Sequence, residues 1–271
     1  MDRTKMEQAL SGVELRFQEP MKLYTTFKVG GPADAIALPK NEEEVIRVMA
    51  YAKENNIPLT IIGNGSNLLV RDKGIRGLVM KIGENMAQIT QEGNRITFGA
   101  GLILAKAASY AQKQGLSGME FAHGIPGSVG GAVFMDAGAY GGEMKDIIVS
   151  TRYIDEEGKL RTVEGSAHDF GYRHSMFSDR NCVVISTTVE LKPDDPQAIL
   201  ERMQEFARRR KEKQPLEMPS AGSTFKRPEG YFAGKLIQDC GLKGYRVGGA
   251  MVSEEHSGFV VNAGDATCED I

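Results

Sequence analysis

Ser223 lies in PSAGSTFKRP, residues 219–228, a small-residue turn that sets three hydroxyls and two cations beside an aromatic ring. A serine behind a glycine can be a nucleophile, but that chemistry needs a Gly-x-Ser-x-Gly elbow and an activating base. No such elbow surrounds Ser223. Backbone chemistry is better represented. Gly63-Asn64-Gly65-Ser66-Asn67 follows an apolar run and offers successive N–H groups with small polar side chains, suited either to cradling a phosphate or to making a tight turn with a left-handed Asn. It fails the dinucleotide fingerprint, because Leu68 takes the third glycine position and no amphipathic helix follows. A second tract, GIPGSVGGAVFMDAGAYGGE from Gly124 to Glu143, holds seven glycines. A flat ligand could approach such backbone closely. Two glycine tracts in a chain without repeats favour a ligand over a mere array of turns, and an extended, phosphate-bearing cofactor would use both.

Other chemistries are poorly supplied. Cys182, Cys240 and Cys268 stand far apart with no CxxC spacing, so they are expected as buried thiols rather than as disulfides or a zinc site. His123, His168, His174 and His256 form no HExxH or paired pattern, and no metal is expected. With 33 basic and 36 acidic residues the net charge is −3, which argues against a general nucleic-acid or membrane-surface binder. One local basic patch remains, Arg208 to Lys213. No run of about eighteen apolar residues occurs and MDRTKMEQAL has no apolar signal core, so a cytoplasmic protein is expected.

The elements that must position these loops are legible. Asn41 with Glu44 has the form of a capping box, and Val45, Val48, Met49 and Ala52 follow at helical spacing, predicting a helix from Glu42 to Asn55. Leu59–Ile62 is a short buried strand running into the GNGSN turn. Val79–Ile82, Ile89–Thr90 and Arg95–Phe98 are further strands, and a second helix runs from Leu102 to Gln114, closed by Gly115. Two strands bracket Asp155-Glu-Glu-Gly158, and Cys182–Leu191 is another strand. Asp195 and Pro196 open a third helix with Ile199, Met203 and Phe206 on one face and a basic end. This helix is expected to open a new domain. Asp265-Ala-Thr267 has the form of a helix start one turn before the last residue, and the sequence looks cut there.

Seven ordered stretches together resemble one family. TTFKVGGPAD (Thr25 to Asp34), IIGNGSNLLV, the Gly124 to Glu143 tract, GYRHSMF (Gly171 to Phe177), PSAGSTFKRP, KLIQDCGLKG (Lys235 to Gly244) and SEEHSGFVVNAG (Ser253 to Gly264) are similar to the UDP-N-acetylenolpyruvoylglucosamine reductases, the MurB flavoenzymes. The resemblance implies an α+β fold: an FAD-binding module of the p-cresol methylhydroxylase/vanillyl-alcohol oxidase type, in two α+β subdomains, and a C-terminal α/β substrate domain. Boundaries are expected at 1–75, 76–194 and 195–271, with the module proper at about 25–194 and the last domain incomplete. The lack of a long insertion between Arg173 and Ser223 resembles the compact subtype.

The implied activity uses NADPH and FAD to reduce the enolpyruvyl group of a UDP sugar, yielding a peptidoglycan precursor. By the same resemblance the FAD contacts are Gly63, Asn64, Gly65, Ser66 and Asn67 with Gly124, Ile125, Pro126, Gly127, Ser128, Gly130, Gly131, Ala137 and Gly138. Arg173 is then the cation that meets the substrate carboxylate, and Ser223 the proton donor. Tyr172, Lys213 and Arg227 contact substrate, and His256 supports the last domain. By themselves, Arg173 would read as a salt-bridging arginine and Ser223 as a turn hydroxyl equally well. Asp136 replaces an asparagine common in the family and is expected to alter contacts near the flavin. The family's third catalytic residue, a glutamate beyond a helix starting near Thr267, has no counterpart before Ile271, which implies either a truncated sequence or compromised activity. The partner expected is a small molecule, with no nucleic acid, no membrane and a monomeric state. Two other classes fit less of the pattern: a different oxidoreductase of this flavin fold need not carry GYRHSMF with GSTFKRP, and a flavin- or UDP-sugar-binding fragment would hold colour without turnover.

Overall fold

The computed structural model describes residues 2–271. Helix α1 (Arg3–Ala9) precedes strands β1 (Glu14–Pro20) and β2 (Pro32–Leu38), helix α2 (Glu42–Glu54), β3 (Leu59–Ile62) and β4 (Ile75–Lys81). These strands form a sheet of order β1-β2-β4-β3. The N-cap of α2 is Asn41, whose side chain accepts the Glu44 N–H at 2.9 Å. Glu44 reaches back to the Lys40 N–H at 2.8 Å instead of to Asn41, so the box is shifted by one residue. β3 pairs parallel to β4, Leu59 opposite Leu78 through Ile62 opposite Lys81. A parallel pair needs a crossover, and here that crossover begins with the glycine turn at Gly63.

A second sheet takes the order β11-β10-β12-β6-β5. Its strands are β5 (Ile89–Glu92), β6 (Arg95–Gly99), β10 (Ile148–Ile154), β11 (Leu160–Glu164) and β12 (Val183–Glu190). β12 is central and buried over most of its length, whereas the edges β5 and β11 are largely exposed. The run VVISTTV suits a strand covered on both faces, and polar ITQE suits an edge. Between β6 and β10 lie α3 (Leu104–Lys113), β7 (Leu116–Ser117), α4 (Val129–Phe134), β8 (Gly138–Ala139) and β9 (Gly142–Glu143). α3 begins two residues later than its apolar spacing suggests. A Cβ at Gly101 would stand 1.7 Å from the Gly83 carbonyl oxygen, and the Leu102 N–H turns back to Gly99, so backbone packing delays the helix. β13 (Lys192–Pro193) pairs with β7, and α5 (Pro196–Lys213) follows. Asp195 caps α5 through the Ala198 N–H at 3.0 Å. Ile199 and Met203 are its buried residues, and Phe206 stacks on Tyr140 with centroids 4.6 Å apart.

The C-terminal segment contains α6 (Ala233–Asp239) and an antiparallel sheet of β14 (Arg246–Val247), β15 (Ala250–Val252) and β16 (Val260–Asn262). Met251, Phe259 and Val261 form its small core. His256 accepts the Gly258 N–H at 3.1 Å and meets Phe259 edge-on, a supporting role. At the last turn Thr267 and Asp270 cap each other: the Asp270 N–H donates to Thr267 Oγ1 at 3.0 Å and the Thr267 N–H to the Asp270 carboxylate at 2.9 Å. The sequence signal for a helix start there is met by a single turn capped by Thr267, not by a helix. By contacts the chain divides into two units. One comprises Met1–Arg16, Ile36–Asn64 and Gly77–Ala207; the other comprises Phe17–Ala35, Gly65–Arg76 and Arg208–Ile271.

Candidate functional site

In the first unit the two glycine tracts meet. A Cβ built on Gly63 would stand 2.3 Å from Ser128 Oγ, well inside any allowed contact, so only glycine lets the end of β3 lie against the start of α4. Ser128 is buried and caps α4 through the Gly131 N–H at 3.4 Å. Its neighbours are pinned: the Val129 N–H donates to Leu102 at 2.8 Å and the Gly130 N–H to Ala100 at 2.9 Å. Lys81, at the end of β4, donates from Nζ to the Gly63 carbonyl at 3.0 Å, and burial pushes its ammonium below the usual lysine value.

The glycines of the long tract divide into two kinds. Gly130 lies against Ala100, Gly138 against Glu143 and Gly142 against the Phe121 ring, with an added Cβ at 2.9, 2.6 and 2.6 Å from its nearest neighbour. Those three are demanded by protein packing. Beside Gly131 the nearest protein atom to an added Cβ is 3.6 Å away, and beside Gly141 nothing lies within 4 Å. Among the expected cofactor contacts, therefore, Gly130 and Gly138 have a structural duty, whereas Gly131 has space beside it. Ala137 is tied into the fold by both its N–H, to Ala132, and its carbonyl, from Met144. The Gly127 carbonyl accepts from Leu104 and the Ile125 N–H donates to Ala122.

Arg173 is held over the same tract. It adopts φ +57° at the tip of a tight reversal in which Gly171 and His174 exchange two 3.0 Å backbone bonds. Its guanidinium donates to the Asp136 carbonyl at 3.3 Å and to the Gly138 carbonyl at 3.4 Å. It also lies 5.1 Å from the centroid of Tyr172, whose ring is exposed. Ser175, fully buried, fixes the reversal by donating to the Phe134 carbonyl at 2.7 Å. An arginine bound only by carbonyl oxygens keeps its full charge and further N–H donors for an anion.

In the second unit Thr26 ties two motifs together. Its N–H donates to the Gly65 carbonyl at 3.1 Å and its hydroxyl to the Ser220 carbonyl at 2.6 Å, so the GNGSN turn and the PSAGSTFKRP turn share one anchor. Gly65, at φ +63°, could carry no side chain, because a Cβ would stand 1.9 Å from the Tyr24 carbonyl oxygen. Ser223 follows Gly222 at φ +79° and bridges to Phe259, with the Thr224 N–H donating to Gly258 at 2.9 Å. Its side chain is exposed on a fixed backbone. Lys213 is exposed at the end of α5. Arg227 is exposed as well, but its guanidinium lies 3.9 Å over the Phe232 ring and Nε donates to the Tyr231 carbonyl at 3.3 Å. Its charge is therefore presented on an aromatic support.

The residues fit an extended flavin dinucleotide. Gly63 and Gly65 let backbone close up around the first turn, Lys81 sets a cation behind it, Gly131 and Gly141 leave space, and the buried Nδ1 of His123 beside the second tract has no partner within the protein. Lys81, Thr26 and His123 escaped the sequence reading. Thr26 lies within a quoted motif and His123 directly precedes the second tract, but Lys81 carries no local signal, because strand pairing brings it to the first turn. Among the described residues no His, Cys, Asp and Glu group could hold a metal.

Comparison with known proteins bears on this arrangement. The family described as FAD binding domain matches residues 33–164, and the UDP-N-acetylenolpyruvoylglucosamine reductase, C-terminal domain matches 214–271. The UDP-N-acetylenolpyruvoylglucosamine reductase of Alkaliphilus oremlandii is 48% identical over 275 residues, covering 100% of this chain and 90% of that protein. That of Clostridium novyi is 52% identical over 267 residues, 98% of this chain and 87% of the relative. The crystal structure of the Thermus caldophilus enzyme, MurB, superposes with a TM-score of 0.84 at 39% identity, covering 95% of this chain and 91% of that one. A 6-hydroxy-D-nicotine oxidase from Arthrobacter nicotinovorans aligns over 68% of this chain and 43% of its own with a TM-score of 0.51; at 19% identity it shares the fold alone.

Proposed function

The chain belongs to the UDP-N-acetylenolpyruvoylglucosamine reductase family, and from that premise we propose that Arg173 and Ser223 are the residues through which it acts. It is an FAD-dependent oxidoreductase of the α+β flavin fold that uses NADPH to reduce the enolpyruvyl UDP sugar to UDP-N-acetylmuramate in peptidoglycan synthesis. Bound FAD supplies the two-electron chemistry between NADPH and the enolpyruvyl double bond.

The protein's part is electrostatic and protic. An enol ether accepts electrons poorly, so charge must spread onto the adjacent carboxylate as the double bond is reduced, and a fixed cation aimed there stabilises it. Arg173 suits this because its fork matches a carboxylate and its own partners are neutral carbonyls. The carbon bearing the carboxylate then needs a proton. The Ser223 hydroxyl can donate one because the electron-rich intermediate is itself strongly basic, and no histidine is required. Lys213 and Arg227 suit the diphosphate, with Tyr172 beside Arg173. FAD is held by Gly63 to Asn67 and by the tract from Gly124 to Gly138. We assign 1–75 and 76–194 to the flavin module and 195–271 to the substrate domain, a reading supported by the two matched ranges. We further propose a monomeric state and a cytoplasmic location, the latter supported by a nicotinamide reductant and a nucleotide-sugar substrate. Among the described residues no helix is long and apolar enough to cross a membrane.

The observation that carries the site assignment is the Arg173 guanidinium fixed on the Asp136 and Gly138 carbonyls. The test separates the half-reactions by colour. The purified protein should be yellow, bleach with NADPH and regain colour anaerobically with the enolpyruvyl UDP sugar. Arg173→Ala should keep its colour and slow turnover by roughly 10²- to 10³-fold, the scale of one lost oxyanion donor. Ser223→Ala should bleach normally and fail to regain colour. Normal turnover in either variant rejects that residue's role, and colour recovery with a simple alcohol instead would point to another oxidoreductase of the fold.

A further inference from the structure

We propose that Asp136 is a proton-linked positioning residue for Arg173, its carboxyl staying protonated so that residues 136–138 present the carbonyls that hold the guanidinium. The proposal rests on the role given to Arg173 above. Asp136 sits in the left-handed region at φ +40°, which aspartate tolerates better than most residues. Its side chain is fully buried. Oδ1 accepts the Lys145 N–H at 2.9 Å, and Oδ2 has no hydrogen-bond partner. Lys145 Nζ stands 3.9 Å from Oδ2 and is drawn instead into a short ion pair with Glu143. A buried carboxylate with one N–H donor is costly, whereas the neutral acid is tolerated.

The charged groups around this carboxyl oppose one another. Lys145 favours ionisation through its N–H and its ammonium, Glu143 and Asp146 disfavour it, and Arg173 is bonded to the residue's own carbonyl. Burial is the largest influence and holds the carboxyl above its usual range. If the proton is lost, the anion must find a cation. It can pull Lys145 from Glu143 or turn toward Arg173, and either movement disturbs a residue whose carbonyl positions that arginine. A raised carboxyl value favours the fold at low pH, and that contribution is lost as pH rises through the folded-state value.

Four measurements on the full chain test this. Recovery of colour by the reduced protein with the enolpyruvyl UDP sugar should slow about tenfold per pH unit along an alkaline limb. D136N, which keeps the shape without the ionisation, should remove that limb. E143Q, which deletes a repelling charge and frees Lys145, should move it to lower pH. Independently of activity, D136N should gain Tm over the parent protein as pH rises, the gap closing in acid. An identical limb in D136N, or a Tm gap that does not change with pH, overturns the proposal. Normal turnover in Arg173→Ala would reject the reading of Arg173 instead, while the Tm comparison would still decide whether Asp136 is held neutral.

Discussion

Gly63→Ala isolates the contact that joins the two glycine tracts. The added methyl would stand 2.3 Å from Ser128 Oγ but 3.5 Å from Ser128 Cβ, so the conflict is with the hydroxyl alone. Ser128 cannot retreat, because the flanking Gly127 carbonyl, Val129 N–H and Gly130 N–H are bonded to Leu104, Leu102 and Ala100 at 2.8 to 3.0 Å. Its side chain must rotate and give up the cap on α4, a loss of about 0.5–1 kcal/mol for a bond already 3.4 Å long. Overpacking adds about 1–3 kcal/mol. The expected cost is therefore about 1.5–4 kcal/mol, or a Tm roughly 3–16 °C lower for a chain of this size. Ser128→Ala alone should cost only its cap, about 0.5–1 kcal/mol. In the double variant the clash is gone, so the two changes together should cost at least about 1 kcal/mol less than their sum. Urea unfolding of all four proteins, with flavin absorbance per chain recorded beside it, measures this coupling. Additive costs, or a Gly63→Ala variant within about 0.5 kcal/mol of the parent, would refute the packing argument.

Glu120, buried, accepts from Ser117, Gly118 and Arg202, and Arg202 also pairs with Asp194. Burial raises its carboxyl, but the bonds from its own backbone, Arg202, Ser117 and Gly118 outweigh it and leave it below the usual range. Its stabilisation is thus present above the ordinary carboxylate range and fades as pH falls through the folded-state value, so the Tm advantage over E120Q should shrink in acid. Arg202→Ala, which leaves part of that carboxylate uncompensated, should cost about 1–3 kcal/mol by urea unfolding. Cys182 is buried and its thiol is raised to about 11, whereas Cys240 is exposed. A thiol reagent at pH 8 should label Cys240 quickly and Cys182 only on unfolding, as peptide mapping would show.

Local signals were the legible part of the fold. Asn41, Asp195 and Gly115 predict helix ends, and the alternation over Cys182–Leu191 predicts the strand β12, because caps and side-chain periodicity act within a few residues of the chain. Discrepancies arose where another backbone group, distant or local, intervened. α3 starts late because Gly101 lies on Gly83, and Glu44 bonds Lys40 rather than its own cap. The site was legible as motifs, through glycine turns and the GYRHSMF and PSAGSTFKRP stretches. Composition does not tell a glycine that packs on Phe121 from one that leaves space for a ligand.

From its sequence alone this chain is determined to be a glycine-tract flavin protein of a particular reductase family, since ordered motifs survive as strings of residues. The tertiary structure decided how those strings serve one another. It set Gly63 against Ser128, made Thr26 the shared anchor of Gly65 and Ser220, and hung Arg173 on the carbonyls of residues 136 and 138. It also left the Asp136 carboxyl buried with one donor. Steric exclusion, hydrogen-bond satisfaction and the cost of a buried charge depend on which atoms meet, and residues far apart along the chain meet only once it has folded.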